Sequence, residues 1–243
     1  MFRVFRPIHA CRCLGLDALV SVDLPNVQYQ PTLSLSHHLS PLQVLLKAGA
    51  RVDAANDRGR TALMSVSYAG LDKIAKTLLE MGADPNIQDG DGWSAVRWAA
   101  KGNQGRTVHL LCRWGGDPNS KDFEGWHTLM AASLEGHREV VKALIEEGAD
   151  VNSSDKEGNT ALMTAAYGGN VETVRDLIRS GASISALDKQ GRSAADWARE
   201  GLAENQGGKK SRRDDFSSIL DLVSAGRTRS RSGDRGLRRP SHI

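Results

Sequence analysis

Residues 160–183 read TALMTAAYGGNVETVRDLIRSGAS, and this stretch alone indicates a pair of short helices. It opens with an Ala-rich apolar segment that ends at a Gly-Gly break. The segment after the break places Val174 and Leu177 at the spacing of one helix face. Gly181 closes it, where a helix commonly ends in a left-handed residue. We therefore expect two helices that pack antiparallel through small side chains.

The same pattern recurs along the chain with a period of 33 residues. Each unit has a glycine in fixed register, with Asn or Asp three residues before it and Thr, Ser or His two residues after it. The Thr and Ser hydroxyls are placed to accept from the first N–H groups of a helix. The segments ADPN, GDPN and ADVN that close the units favour tight turns. The register glycines are Gly59, Gly92, Gly125, Gly158 and Gly191.

With these features the sequence resembles the ankyrin repeat family, whose 33-residue unit is a β-turn followed by two helices with a T-P-L-H-x-A opening. The openings here read TALMSV, SAVRWA, HTLMAA and TALMTA. Ala or Thr128 thus replaces the family's Pro, and Met or Arg97 replaces its His. The resemblance implies an all-α ankyrin-repeat solenoid of antiparallel helix pairs with short β-turn fingers. It also implies a non-catalytic role in protein binding, and we expect a monomer.

The ends of the repeat array depart from the pattern. Residues 39–55 match only a second helix and its turn, so we expect half a repeat there. At the other end, the glycine that closes the fifth unit is Gly226, 12 residues later than the period requires. We expect a basic insertion near 203–214 to form a loop inside the C-terminal cap. The expected segments are an irregular or disordered start 1–38, a repeat domain 39–226 with repeats 56–88, 89–121, 122–154 and 155–187 and a cap 188–226, and a basic disordered tail 227–243.

Composition argues against several classes of protein. The three cysteines, Cys11, Cys13 and Cys112, are too few for a disulfide framework and lack the spacing of a zinc site. No apolar run reaches the roughly 18 residues that span a bilayer. No nucleophile motif, phosphate loop or metal-ligand pattern occurs, so we expect no catalytic, cofactor-binding or metal-binding residues. We expect a cytoplasmic or nuclear location, although the arginine-rich start also permits mitochondrial import.

The resemblance implies which residues would contact a partner, because the family binds through its turn tips and the exposed ends of its first helices. These positions combine charged side chains with large aromatic ones. They are Asp57, Arg58, Arg60, Tyr68, Asp91, Trp93, Trp98, Lys101, Phe123, Glu124, Trp126, Leu134, Lys156, Glu157, Asn159, Tyr167, Lys189, Gln190 and Arg192.

Tryptophan occupies equivalent positions in neighbouring repeats. Trp93 and Trp126 each follow a register glycine directly, and with Phe123 they would form an aromatic patch. Trp and Tyr are enriched among the residues that carry binding energy. In the alternative interpretation, each ring lies along its own turn and shields the stack. Trp98 and Trp197 share a position within the first helix, where packing is the more usual role.

The C-terminal segment supports two further hypotheses. Residues 209–243 carry a net charge of +6, which leaves the rest of the chain acidic. Lys209, Lys210, Arg212 and Arg213 would serve as a nuclear import signal or contact phosphates, and the alternative is an inert, solvated tail. A nuclear or RNA-associated adaptor is thus the second functional hypothesis, although no aromatic residues lie among these cations to stack on bases. A third is that the chain is a fragment of a larger protein or enzyme.

Overall fold

The computed structural model of the protein describes residues 50–204 and 210–232. Segment 1–38, most of the half repeat 39–55 and residues 233–243 lie outside the described part. The described residues fall in two compact units that divide after Phe123. The first helices of the repeats are α1 (Ala62–Tyr68), α3 (Ala95–Lys101), α5 (Thr128–Glu135), α7 (Ala161–Tyr167) and α9 (Ala194–Glu204). The second helices are α2 (Asp72–Glu80), α4 (Gly105–Arg113), α6 (Arg138–Glu146), α8 (Val171–Arg179) and α10 (Lys210–Ser232).

The predicted hydroxyl caps are confirmed at three of the four first helices that follow Thr or Ser. The hydroxyls of Thr61, Ser94 and Thr160 each accept a hydrogen bond from the N–H group three residues on, at 3.4 Å. His127 makes no such side-chain bond at the start of α5. At Ser193 the bonding is reversed, since its hydroxyl donates to Asp196 at 2.7 Å. The side chain that caps the first helix thus differs between repeats, whereas the helix begins at the same position in each repeat.

The predicted helix ends are also confirmed. The glycine that follows each of α2, α4, α6 and α8 has a positive φ, between 87° and 92°. An added Cβ at these glycines would meet no atom within 4 Å, so the left-handed backbone rather than crowding requires glycine there. These residues are Gly82, Gly115, Gly148 and Gly181.

Small residues let neighbouring first helices approach each other closely. An added Cβ at Gly102 would lie 2.0 Å from the Tyr68 carbonyl oxygen, and one at Gly201 would lie 2.2 Å from that of Tyr167. Gly102 has a φ of −79°, which any residue adopts, so its requirement is steric. The all-α arrangement of helix pairs is therefore confirmed within each unit, together with its packing through small residues.

The C-terminal pair differs from the others in length and position. α9 has 11 residues, and α10 has 23 and begins at Lys210, inside the segment 203–214 expected to be a loop. α10 also continues to Ser232, past the expected domain boundary at 226. Phe216, Ile219 and Val223 bury one face of it, at most 1% exposed. The helical spacing of these three residues explains why they share one buried face of α10.

Within each unit, an asparagine in a closing turn connects one repeat to the next. Asn86 donates from Nδ2 to the Gly115 carbonyl at 2.8 Å and accepts from the Asp117 N–H at 2.9 Å. In the second unit, Asn152 donates to the Gly181 carbonyl at 3.1 Å and accepts from the Ser183 N–H at 2.8 Å. Asp53 occupies the equivalent position and accepts from the Asp84 N–H at 3.1 Å. As a carboxylate it has no N–H to donate.

Replacing Asp53 with Asn is expected to stabilise the protein at neutral pH by about 1 kcal/mol, because the amide would donate to the Gly82 carbonyl. Partial burial and repulsion from Asp84 raise the pKa of Asp53, against the bond from the Asp84 N–H. Because this pKa is raised in the folded protein, the ionised form of Asp53 destabilises the fold. The free energy of unfolding therefore falls as the pH rises through the pKa of Asp53 in the folded protein. A higher urea midpoint at pH 7 checks the prediction. Asn86→Asp should have the opposite effect, and equal midpoints for all three proteins would contradict it.

Candidate functional site

The first side chain of a turn between repeats commonly holds that turn by hydrogen bonds. We call residues 56–61, 89–94, 122–127, 155–160 and 188–193 the fingers. In four of them the first side chain accepts from the main-chain N–H groups two and four residues further on. Asp89 does so at 3.0 and 2.9 Å, and Asp188 at 3.0 and 2.8 Å. Asn56 and Asp155 make the same bonds. The fingers are thus fixed from inside, which explains the repeated acids.

Most residues predicted to contact a partner are accessible. We use the term finger face for the exposed finger residues and the ends of the first helices, taken within each unit separately. Its exposed members among the predicted residues are Asp57, Arg58, Tyr68, Asp91, Lys101, Phe123, Glu124, Lys156, Glu157, Lys189 and Gln190. Half-buried members are Arg60, Trp93, Trp98, Trp126, Leu134, Tyr167 and Arg192. Asn159 is buried, and its amide donates to Asp155 at 2.8 Å, so its contacts lie inside the finger.

Trp98 is the centre of one group of finger-face residues, which we call the Trp98 cluster: Arg60, Tyr68, Asp89, Trp93 and Trp98. The indole Nε1 donates to the buried Asp89 carboxylate at 2.9 Å. The Arg60 guanidinium lies over the ring with Cζ 4.0 Å from its centroid, a cation–π contact. Tyr68 meets the ring edge-on at 5.8 Å, and Trp93 packs against it at 5.0 Å. The indole thus joins two fingers and a helix end.

A second group repeats this arrangement 99 residues later, which is three repeat lengths. This Trp197 cluster consists of Tyr167, Asp188, Arg192 and Trp197. The indole donates to Asp188 at 2.9 Å, Tyr167 meets the ring at 5.8 Å, and the Arg192 Cζ lies 4.8 Å from its centroid. Burial would raise the pKa of Asp188, but the bonds from Trp197 and Arg192 outweigh it and leave that pKa lowered. The carboxylate is therefore ionised at neutral pH.

Sequence reasoning included Trp98 among the predicted partner contacts, favoured packing for the position that it shares with Trp197, and missed the clusters as a pair. The signal was present, because Tyr, Asp and Trp all recur after the same 99 residues. Trp93 lies against Trp98, and the Arg97 Cζ is 5.0 Å from the Trp93 ring. This contact favours the shielding role for that ring. The patch of Trp93, Phe123 and Trp126 stays a prediction, with Phe123 its most exposed member at 64%.

The basic stretch at the start of α10 is only partly described. Arg213 is exposed, whereas Lys209 and the side chains of Lys210 and Arg212 lie outside the description. Within residues 50–204 and 210–232, no group of His, Cys, Asp or Glu side chains could hold a metal ion. No helix in that same part of the chain combines the length and apolar character needed to cross a membrane.

Comparison with known proteins agrees with the repeat geometry. A family model described as ankyrin repeats, in three copies, matches residues 33–122, 68–155, 96–188 and 129–204. A putative ankyrin repeat-containing protein of Treponema pallidum is 36% identical over 87 residues, which cover 34% of this chain and 29% of that protein. The inactive serine/threonine-protein kinase TEX14 of Bos taurus is 46% identical over 61 residues, 25% of this chain and 4% of that protein.

The chain therefore matches less than a third of the length of either relative. The matches to the family model overlap and together cover residues 33–204, more than half of the chain, including every finger described above. The 33-residue period, the self-bonded fingers and the paired helices are the structural counterpart of that match. The chain belongs to the ankyrin repeat family.

Proposed function

We propose that the chain is a non-catalytic interaction module, an adaptor or scaffold, that binds a protein partner through its finger face. Ankyrin repeats generally serve as protein-interaction modules. Binding through the finger face is supported because different residues of a finger hold the turn and face the solvent. In the first, second, fourth and fifth fingers the first side chain holds the turn. The next two residues are exposed at the same place in successive repeats. Such positions are free to vary without loss of the fold.

The exposed aromatic side chains of the first unit support the same surface. Tyr68 is 49% exposed at the end of α1, and Phe123 is 64% exposed in the third finger. Lys101 is exposed at the end of α3, the position equivalent to Tyr68. Large aromatic residues are enriched at the centres of protein interfaces, and charged side chains lie mainly at the polar rim. These three residues therefore form the part of the finger face that we would test first.

The test is capture of partners from a cell lysate by the full chain and by a triple variant, Tyr68→Ala, Lys101→Ala and Phe123→Ala. We expect the variant to retain partners about tenfold less well, because truncated aromatic anchors commonly cost that much or more. Quantitative mass spectrometry of the captured proteins gives the ratio. Circular dichroism and the urea midpoint show whether the variant is folded.

The chain offers a matched control away from the finger face. Met81 and Trp114 follow the second helices α2 and α4 and are 41% and 42% exposed, and Lys76 is exposed on α2. Changing these three residues to Ala removes a comparable set of side chains. We expect that control to keep its partners within about twofold, as energetically neutral surface positions do. Loss of the same partners from both variants would contradict binding through the finger face.

The other two functional hypotheses depend on different parts of the protein. A nuclear or RNA-associated role depends on residues 209–243, and deleting them should flatten the salt dependence of binding only if they contact phosphates. The fragment hypothesis fits the low coverage of both relatives, one of which is named as an inactive kinase. A cytoplasmic or nuclear location agrees with either hypothesis and with the adaptor role.

A further inference from the structure

The Trp197 cluster holds two carboxylates that come from its own helix. The Tyr167 hydroxyl donates to Glu204, a bond that raises the pKa of the phenol. Arg192 donates from Nη1 to the Glu200 carboxylate at 2.9 Å, and from Nε to Asp188 at 2.8 Å. Both polar groups beside the indole, a phenol and a guanidinium, are thus occupied by glutamate side chains of α9.

The Trp98 cluster has the same polar groups but lacks the glutamates. The residues 99 positions before Glu200 and Glu204 are Lys101 and Gly105. Among the described residues, Arg60 pairs only with Asp89, at 3.6 Å, and its buried Nε has no hydrogen-bond partner. The Tyr68 side chain is exposed, at 49%. The cluster therefore presents the donors that α9 satisfies in the other copy.

The two guanidiniums reach their indoles by different routes. Arg60 and Arg192 each directly follow a register glycine. Arg192 is in the same finger as Asp188, the carboxylate that binds its indole. Arg60 is one finger earlier than Asp89, the carboxylate that binds the Trp98 indole. In both clusters the guanidinium contacts the ring and the buried finger carboxylate. The chemistry presented to a ligand is therefore the same, although the approach of the arginine differs.

We propose that the Trp98 cluster binds a glutamate or aspartate carboxylate of an acidic segment in the partner, received by the Arg60 guanidinium and the Tyr68 hydroxyl. The inference rests on the proposed function and names the chemistry of its ligand. The Trp197 cluster is the closed form of the same site, with α9 supplying its carboxylates. Charge-assisted bonds to a guanidinium and a phenol are among the stronger polar contacts in proteins.

Charges around the Trp98 cluster agree with an acidic ligand. Lys101 stands where α9 has Glu200, so a positive side chain replaces the carboxylate that fills the other site. Asp89 neutralises part of the charge on Arg60, as Asp188 does for Arg192, where a second carboxylate binds nevertheless. Asp57 and Arg58 on the first finger are exposed and of opposite sign. Lys101 and Gly105 thus stand where α9 has two carboxylates, which makes this cluster less acidic than the Trp197 cluster.

The probe is a fluorescein-labelled peptide of five Glu-Gly repeats, titrated with the full chain and followed by fluorescence anisotropy. Peptides of Gln-Gly and phosphoserine-Gly repeats of the same length serve as comparisons. We expect saturable binding of the Glu peptide and at least tenfold weaker binding of the Gln peptide. Arg60→Gln and Tyr68→Phe should each weaken binding of the Glu peptide, the former by about tenfold. Tyr68→Phe keeps the ring, so it tests the hydroxyl even where Arg60→Gln disturbs the fold.

Two matched controls separate the site from general attraction. Lys73→Gln and Lys76→Gln each remove a positive charge from an exposed position on α2, outside the finger face. Both should bind the Glu peptide within twofold of the parent. If either weakens binding as much as Arg60→Gln, or if only the phosphoserine peptide binds, the proposal is overturned. If the Glu peptide does not bind while the Tyr68, Lys101 and Phe123 triple variant still loses its partners, the carboxylate site is ruled out. Binding through the finger face would then still be supported.

Discussion

Replacing Phe216 with Ala is expected to lower the free energy of unfolding by about 3–5 kcal/mol, the usual cost of truncating a buried phenylalanine. The ring is 1% exposed and fills the space left by two glycines. An added Cβ at Gly169 would lie 3.0 Å from the ring Cζ, and one at Gly201 would lie 3.0 Å from Cε1. Gly169 lies two residues after α7, and Gly201 lies within α9. The Phe216 side chain therefore packs α10 against two repeats. Urea unfolding followed by circular dichroism measures the effect.

The control for this prediction lies one residue further along the same helix. Ser217 is exposed, and its hydroxyl bonds to the Arg213 carbonyl in the preceding turn. Ser217→Ala should change the free energy of unfolding by less than about 0.5 kcal/mol, as surface substitutions usually do. If Phe216→Ala unfolded at the same urea concentration as Ser217→Ala, α10 would not cover the end of the repeats.

Replacing Asp188 with Ala is expected to cost about 2–4 kcal/mol, because a fully buried carboxylate that accepts four hydrogen bonds is lost. Two of these bonds hold the finger backbone, and two come from the Trp197 indole and the Arg192 Nε. Asp188→Asn should cost less, because an amide oxygen can still hold the turn. Asn56 does so in the first finger, where its Oδ1 accepts two main-chain bonds at 3.0 Å.

The pH dependence of this effect has a definite sign. Because the pKa of Asp188 is lowered in the folded protein, its contribution is present above the ordinary value of 3.8 and is lost as the pH falls below it. The difference in unfolding free energy between parent and Asp188→Ala should therefore be constant around neutral pH and shrink in acid. A difference that grew in acid, or equal losses for the Ala and Asn variants, would contradict this role for the carboxylate.

The repeat pattern predicted most of the fold because each signal is local. Thr61 and Ser94 cap helices that begin at the next residue, and Gly82 ends one with a positive φ of 89°. Such features depend on neighbours within one repeat, which the 33-residue period displays five times. The start of α10 was harder to predict, since its polar first turns carry no periodic apolar residues before Phe216.

The finger face was predicted only in outline, because contacts between repeats are not visible in a single unit. The bond from Trp98 to Asp89 spans nine residues, and its contact with Tyr68 spans thirty. The residue equivalent to Asn159 is half buried in the other fingers. Asn159 itself is buried because its amide donates to Asp155. The contrast between the open Trp98 cluster and the closed Trp197 cluster depends on Glu200 and Glu204, which belong to the atypical last pair of helices.

The central claim is that partners bind the finger face, and the matched lysate captures test it most directly. The measurement is the amount of each partner retained by the Tyr68, Lys101 and Phe123 triple variant, relative to the Lys76, Met81 and Trp114 control. We predict a loss of about tenfold for the first and retention within about twofold for the second, with both proteins folded. Equal retention by the two variants, or a loss confined to the control, would contradict the claim.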